Sequence, residues 1–353
     1  MRYKVQKKLE DIIKNRGIED VFVLAIETSC DETSAAVVKN GREVLSNIIS
    51  SQIDIHKRFG GVVPEVASRS HTEAISGVVN EALNAAKIML QQIDAVAVTY
   101  GAGLIGALMV GVSFAKALSY ALGVPLIKVN HIKAHVAANY IINPDLKPPF
   151  MALIVSGGHT AIVSVTSYTE QKLIGSTVDD AIGEAYDKVA RVLGLEYPGG
   201  PKVDKLAKNG KNSIRFVKSE TLKNSFDSSF SGLKTAVINY INTKKQRSEE
   251  LNVEDICCSF QTEAVEGLIS KTIRACLENN ISTLVLAGGV AANSYIRQRA
   301  FEECKKHNIT LCVPPLVYCT DNAAMVGVLG YYNLMAGEGI ADDDLSAVSN
   351  LPL

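Results

Sequence analysis

A chain of 353 residues has the length of about two domains, and its 47% hydrophobic and 21% charged residues can build a large core, which excludes global disorder. A formal net charge of −1 gives the molecule no overall basic field, so any nucleic-acid contact has to be local. Seven cysteines, an odd number with no CxxC pair, argue against a disulfide framework and a cysteine zinc knuckle and fit a reducing cytoplasm.

Residues 1–20 read as a short helical extension with a thin apolar stripe of Leu9, Ile12 and Ile13, a surface appendage. Its charged start has no apolar h-region and is not a secretory signal. Residues 21–26 predict a buried strand, 27–34 a small polar loop, and 35–39 and 44–49 two further strands joined at Asn40-Gly41, a strong hairpin turn. Residues 93–99 predict a strand, 100–106 a glycine-rich loop, 107–122 a helix capped by Gly123, and 125–129 another strand. The apolar stretch 103–124 is interrupted by Lys116 and reads as a buried core helix, not a membrane span.

After a proline-bearing break at 143–149 the same syntax returns. Strands are predicted at 151–155, 161–166 and 171–174, with a glycine loop at 156–159. Later come a strand at 283–286, a glycine loop at 287–293, a helix at 294–307 capped by Asn308, and a strand at 310–313. The expected organisation is therefore an α/β duplication: an extension 1–20, a first lobe 21–146, and a second lobe 147–322 with a helical insertion at about 179–261. A C-terminal helix at about 323–345 should pack back on the first lobe, and two like lobes should leave a cleft lined by loops at strand ends.

Four constellations carry chemistry. His131 and His135, at i and i+4, share a helical face and can chelate one divalent cation, or stand as two polar histidines of surface or core. Ile132 occupies the place where a zinc protease has its general-base Glu, which weakens that reading. Asp321, between a strand-like run and a helix, offers a third ligand, although local sequence favours it as a helix N-cap. Glycine doublets at Gly157-Gly158, Gly199-Gly200 and Gly288-Gly289 fit either plain turns or backbone contact with phosphate. The acidic residues Glu27, Asp31, Glu32, Asp179, Asp180, Glu184, Asp187 and Asp204 include a helical face (Asp180, Glu184, Asp187) that is either solvated or receives ribose hydroxyls. Lys202, Lys205, Lys208, Lys211, Arg215, Lys218 and Lys223 form a solvated surface or a phosphate-backbone contact.

The segments IETSCDETS (26–34), NHIKAH (130–135), VSGGHT (155–160), GEAYDK (183–188), YPGGP (197–201), FSGLKT (230–235), GGVAAN (288–293) and CTDN (319–322) stand in the order and spacing of the bacterial TsaD family, formerly called Gcp, which this chain resembles from about residue 21 to 335. The resemblance implies an ASKHA fold (actin, sugar kinase, Hsp70) of two duplicated RNase H-like lobes around a cleft. It implies transfer of a threonylcarbamoyl group from threonylcarbamoyl-AMP to N6 of the adenosine next to the anticodon in tRNAs that read ANN codons. It further implies one divalent metal, usually iron and sometimes zinc, on His131, His135 and Asp321. Ile154, Val155, Ser156, Gly157, Gly158, Asp187, Gly200, Asp204 and Asn293 would form the adenylate set, also open to an ATP- or ADP-like nucleotide, with Asp187 at the ribose and Asn293 toward the adenine. Asp31 and Glu32 are the catalytic candidates, with Glu27 beside them. The family's partners, the paralogue TsaB and the ATPase TsaE, would be shared, and no membrane is involved. Lys133 departs from the acidic residue common in bacterial members, at a position that should point away from the metal. The competing classes are a small-molecule kinase on the same fold and a nucleotide-gated binding protein.

Overall fold

The computed structural model describes residues 2–15, 17–216, 222 and 224–353. It divides into two compact units, one of Met1–Pro148, Ser167–Gln171 and Thr320–Leu353, the other of Pro149–Thr166 and Lys172–Cys319. Asp321, assigned by sequence to the second lobe, therefore belongs to the first unit, with the histidines.

The first unit runs α1 (Arg2–Lys14), β1 (Phe22–Glu27), β2 (Glu32–Lys39), β3 (Glu43–Ser51), α2 (Ile53–Lys57), α3 (Pro64–Ala86), β4 (Ala95–Gly101), α4 (Ile105–Leu122), β5 (Leu126–Asn130), α5 (His131–Ala137) and α6 (Asn139–Ile142). The second runs β6 (Phe150–Val155), β7 (Thr160–Val165), β8 (Gln171–Ser176), α7 (Ile182–Val192), α8 (Gly199–Ala207), α9 (Ser231–Gln246), α10 (Val253–Glu278), β9 (Thr283–Ala287), α11 (Ser294–Lys306) and β10 (Thr310–Cys312). The chain returns to the first unit as α12 (Ala323–Ala336).

Each unit holds a five-stranded sheet, ordered β3-β2-β1-β4-β5 and β10-β9-β6-β7-β8. β1 pairs antiparallel with β2 and parallel with β4, as β6 does with β7 and β9. The two sheets thus repeat one topology. In the first, β1 and β4 are almost wholly buried runs of Val, Leu, Ile and Ala, the pattern of strands covered on both faces. Leu24, Ile26, Val96 and Val98 pack with Ile75 and Val79 of α3 and Val112 of α4, while α12 lies against β1 and β2.

Four expectations change. The extension is no surface appendage: Leu9 and Ile12 are buried, and Lys8 Nζ donates to the Ile93 carbonyl at 3.2 Å and pairs with Asp94 at 3.4 Å. Its apolar stripe is narrow, but each side chain it buries stabilises by roughly 1.5–3 kcal/mol. α4 is not a fully buried helix; Ala107, Leu108, Gly111, Val112, Ala115 and Ser119 face inward, whereas Ile105, Met109 and Tyr120 are exposed. α12 ends at Ala336, not near 345, because Gly337 turns left-handed at φ 70°. The helical insertion does not end at 261 either, since α10 continues to Glu278.

Beyond α12 the chain becomes a strap. Ile340 bridges Ile127 of β5 antiparallel, Ala341 N–H donates to Leu126 O at 2.8 Å, and Val348 N–H donates to Tyr100 O at 2.8 Å. Asn130 Nδ2 then donates to Pro352 O at 3.0 Å.

The Asn40-Gly41 hairpin has φ of 53° and 73°, the paired positive values of a type I′ turn. A Cβ at Gly41 would also strike the Tyr331 ring. Gly41→Ala should destabilise the chain by about 1–3 kcal/mol, read as a lower urea midpoint.

Candidate metal centre and glycine loops

β5 delivers the chain straight into α5. Asn130 caps that helix, its Oδ1 accepting from the N–H groups of Ile132 at 2.9 Å and Lys133 at 3.2 Å. His131 thus opens the first turn and His135 lies one turn on, with their Nε2 atoms 3.2 Å apart. Asp321 Oδ1 lies 3.2 Å from His135 Nε2 and 3.5 Å from His131 Nε2. Asp321 is not the cap of α12; Asn322 takes that role, accepting from Met325 N–H at 3.1 Å, which leaves the Asp321 carboxylate turned to the imidazoles.

The group fits one metal ion. One ligand atom from each of the three residues lies within 4.8 Å of the other two. Two metal–nitrogen bonds of about 2.1 Å at about 100° span the observed N···N separation. The donor set, two imidazoles and a carboxylate with further acidic groups around it, calls for a cation. Burial disfavours charge on His131, yet Asp321 and Glu27 outweigh it and lift its pKa to about 9. Burial raises Glu32, and Asp321 and Asp31 add to this, pushing it to about 9. Asp31 is buried, and Glu32 is half-buried and accepts from Ser51 Oγ at 3.1 Å.

One connection escaped the sequence reading. Glu27, placed there beside Asp31 and Glu32 but not with the histidines, is fully buried with its Oε2 3.2 Å from His131 Nδ1. Ser29 Oγ lies 3.1 Å from the same nitrogen, and Thr99 Oγ1 donates to Glu27 Oε2 at 2.5 Å. The available signal was topological: Glu27, Thr99 and His131 stand at or just past the ends of the adjacent parallel strands β1, β4 and β5.

The second unit gathers its glycine loops. The 155–157 backbone lies against both Gly183, at the start of α7, and Gly288, just past β9. Ile154 and Val155 are buried strand residues, and Ser156 N–H donates to His159 O at 2.8 Å, so of the Ser156–Gly158 amides that one is already committed. Gly157 and Gly158 are exposed, with open space where a Cβ would stand. Asp187 joins α7 to α8 by accepting from Gly199 N–H at 2.8 Å and from Gly200, and burial raises its pKa. Asp204 joins α8 to α11, accepting from Ser294 Oγ at 2.9 Å and Ser294 N–H at 3.2 Å. Asn293 caps α11 through Ile296 N–H at 2.9 Å, and its amide donates to Gln261 Oε1 at 2.8 Å.

The other acidic residues are held by neighbouring groups. Asp179 accepts from Phe230 N–H at 2.8 Å and from the Ser231 amide and hydroxyl. Asp180 and Glu184 pair with Lys188 at 3.3 and 2.6 Å, so they form no bare solvated face with Asp187. Of the basic stretch, Lys202, Lys205, Lys208, Lys211 and Arg215 are exposed, while Lys218 and Lys223 lie outside the described residues.

Duplicated α/β topology, with a His-His-Asp group that could hold a metal ion at the strand ends of one unit and converging glycine loops in the other, defines a chain of the ASKHA fold class. Residues 43–328 match the model of the TsaD family, tRNA N6-adenosine threonylcarbamoyltransferase, and the chain belongs to that family. It is similar to the tRNA N6-adenosine threonylcarbamoyltransferases of Clostridioides difficile (strain 630), at 55% identity over 95% of this chain and 99% of the relative, and of Clostridium botulinum (strain Kyoto / Type A2), at 54% identity over 95% and 98%. Among solved structures, T. kodakarensis HypF shares the fold, with TM-score 0.61 and 14% identity over 92% of this chain and 49% of that one.

Replacing His131 or His135 by Ala should reduce bound metal from one ion per chain to a trace after dialysis, read by elemental analysis.

Proposed function

We propose that this chain transfers the threonylcarbamoyl group of threonylcarbamoyl-AMP to N6 of the adenosine next to the anticodon in tRNAs that read ANN codons. The observation that carries the reading is the His131–His135–Asp321 group in a chain of the TsaD family. The N6 lone pair attacks the carbamoyl carbon, the bond to the adenylate phosphate oxygen breaks, AMP leaves with that electron pair, and N6 loses a proton. A divalent metal at the triad, iron by our reading and zinc as the alternative, supplies Lewis acidity toward the threonylcarbamoyl oxygens.

The protein's own groups do the rest. Gly157 and Gly158, exposed and without side chains, let a phosphate or carbonyl oxygen approach their amides. Asp187, Gly200, Asp204 and Asn293, gathered around the starts of α8 and α11, frame the nucleotide, with the Asp187 carboxylate for the ribose. Asp31 and Glu32 are the carboxylates able to handle the N6 proton. Adenine N6 is a weak nucleophile, so positioning matters as much as proton transfer. A kinase on this fold would have no use for the His-His-Asp group.

The partners we infer are TsaB and TsaE, acting with this chain in the cytoplasm. The exposed apolar side chains of α4, Ile105, Met109 and Tyr120, support a helical face for TsaB. The lysines of α8 and beyond support a tRNA-backbone contact.

Incubation with tRNA, threonine, bicarbonate and ATP, with the synthase and partner proteins supplied, should yield threonylcarbamoyladenosine by nucleoside mass spectrometry. His135→Ala should abolish it; full activity in a metal-free variant would sink the reading. Charge reversal at both Lys205 and Lys208 should weaken tRNA binding and lower its salt slope by about two.

A further inference from the structure

We infer that Glu27 is a positioning residue for the metal: its carboxylate sets the tautomer and angle of His131 so that Nε2 presents a lone pair to the ion. This rests on the metal reading of His131, His135 and Asp321.

A neutral imidazole carries one N–H, and whichever nitrogen bears it cannot ligate. Glu27 Oε2, 3.2 Å from His131 Nδ1, can only accept. The hydrogen is therefore held on Nδ1, and Nε2 is left bare toward His135 Nε2 and Asp321 Oδ1. Metal-bound histidines commonly have their second nitrogen fixed in this way by a carboxylate, which also raises ligand basicity.

The carboxylate is itself immobilised. Glu27 Oε1 accepts from Ser29 N–H at 2.5 Å and Oε2 accepts from Thr99 Oγ1 at 2.5 Å. Ser29 in turn is clamped by the loop that leads into α4, its carbonyl accepting from Leu104 N–H at 2.8 Å, with Gly103 so close that a Cβ there would collide with it. Glu27 and Thr99 are wholly buried and Ser29 is 2% exposed, so water does not compete for these contacts.

The pair is asymmetric. His135 Nδ1 is buried with no hydrogen-bond partner among the described residues. The orientation of the two-histidine set accordingly depends on the Glu27 side. A buried carboxylate is costly unless paired, and an isosteric Gln would fill the same space without charge. The role we assign to Glu27 is one that charge and acceptor character perform and shape alone does not.

The full-length chain is stripped with chelator and titrated with Zn²⁺ against a chromophoric competitor, in parallel with Glu27→Gln, Glu27→Ala and Thr99→Val. Zinc affinity should fall ten- to a hundredfold in both Glu27 variants and less in Thr99→Val. In zinc-saturated, ¹⁵N-histidine-labelled protein, the His131 Nδ1–H signal should be protected from solvent exchange and lose that protection in the Glu27 variants. A folded Glu27→Gln protein that binds zinc within twofold of the wild type and keeps the protected signal overturns the inference. If Glu27→Ala does not fold, the isosteric Gln variant decides. A wild-type chain that binds no zinc sinks the metal reading and this inference with it; unchanged binding in Glu27→Gln alone sinks only the role of Glu27.

Discussion

Negative charge buried at the ends of β1, β4 and β5 is the constraint on which the first unit depends. Glu27 and Asp31 are buried, Glu32 is half-buried, and Asp321 joins them from the start of the α12 segment. Each buried carboxylate costs several kcal/mol unless something positive or hydrogen-donating answers it. Serine, threonine and backbone N–H donors answer part, and His131, when no ion occupies the site, answers more by holding a proton well above its ordinary pKa. An ion held by the imidazoles and Asp321 would take the place of that proton. The same arrangement that makes the loop expensive to fold makes it selective for positive charge.

The duplication gives this contrast its meaning. Both units use a strand that pairs antiparallel on one side and parallel on the other, and both place a loop at its end. In the first unit that loop begins Glu27-Thr28-Ser29, rich in acceptors and hydroxyls; in the second it begins Ser156-Gly157-Gly158, with two residues that offer only backbone. One architecture thus presents carboxylate and imidazole in one copy and bare amides in the other.

Much of this was legible in the residues. Alternation and apolar runs located nearly every strand, since a strand buried on both faces has little choice of composition, and Asn40-Gly41 announced its turn. The i, i+4 spacing of His131 and His135 put both imidazoles on one helical face, as the structure has them. What stayed hidden depends on long-range packing. Asp321 looked like a cap because its neighbour Asn322 is an equally good one, and only the fold decides between them. Glu27 was not placed with the histidines because its partner lies 104 residues away. The extension looked dispensable because two buried side chains leave little periodic signal. α4 looked like a buried core helix because apolar residues on an exposed face read the same as those in a core.

The strap that ends at Pro352 gives the metal helix a dependence on distant sequence. Its contact falls on the amide nitrogen of Asn130, and the oxygen of that same amide caps α5 just before His131. Strap docking and the order of the ligand helix are therefore thermodynamically linked, and linkage is reciprocal. Whatever loosens residues 348–352 would therefore remove a contact from the residue that caps the ligand helix. One amide side chain thus ties the strap to the start of the helix that carries both imidazoles.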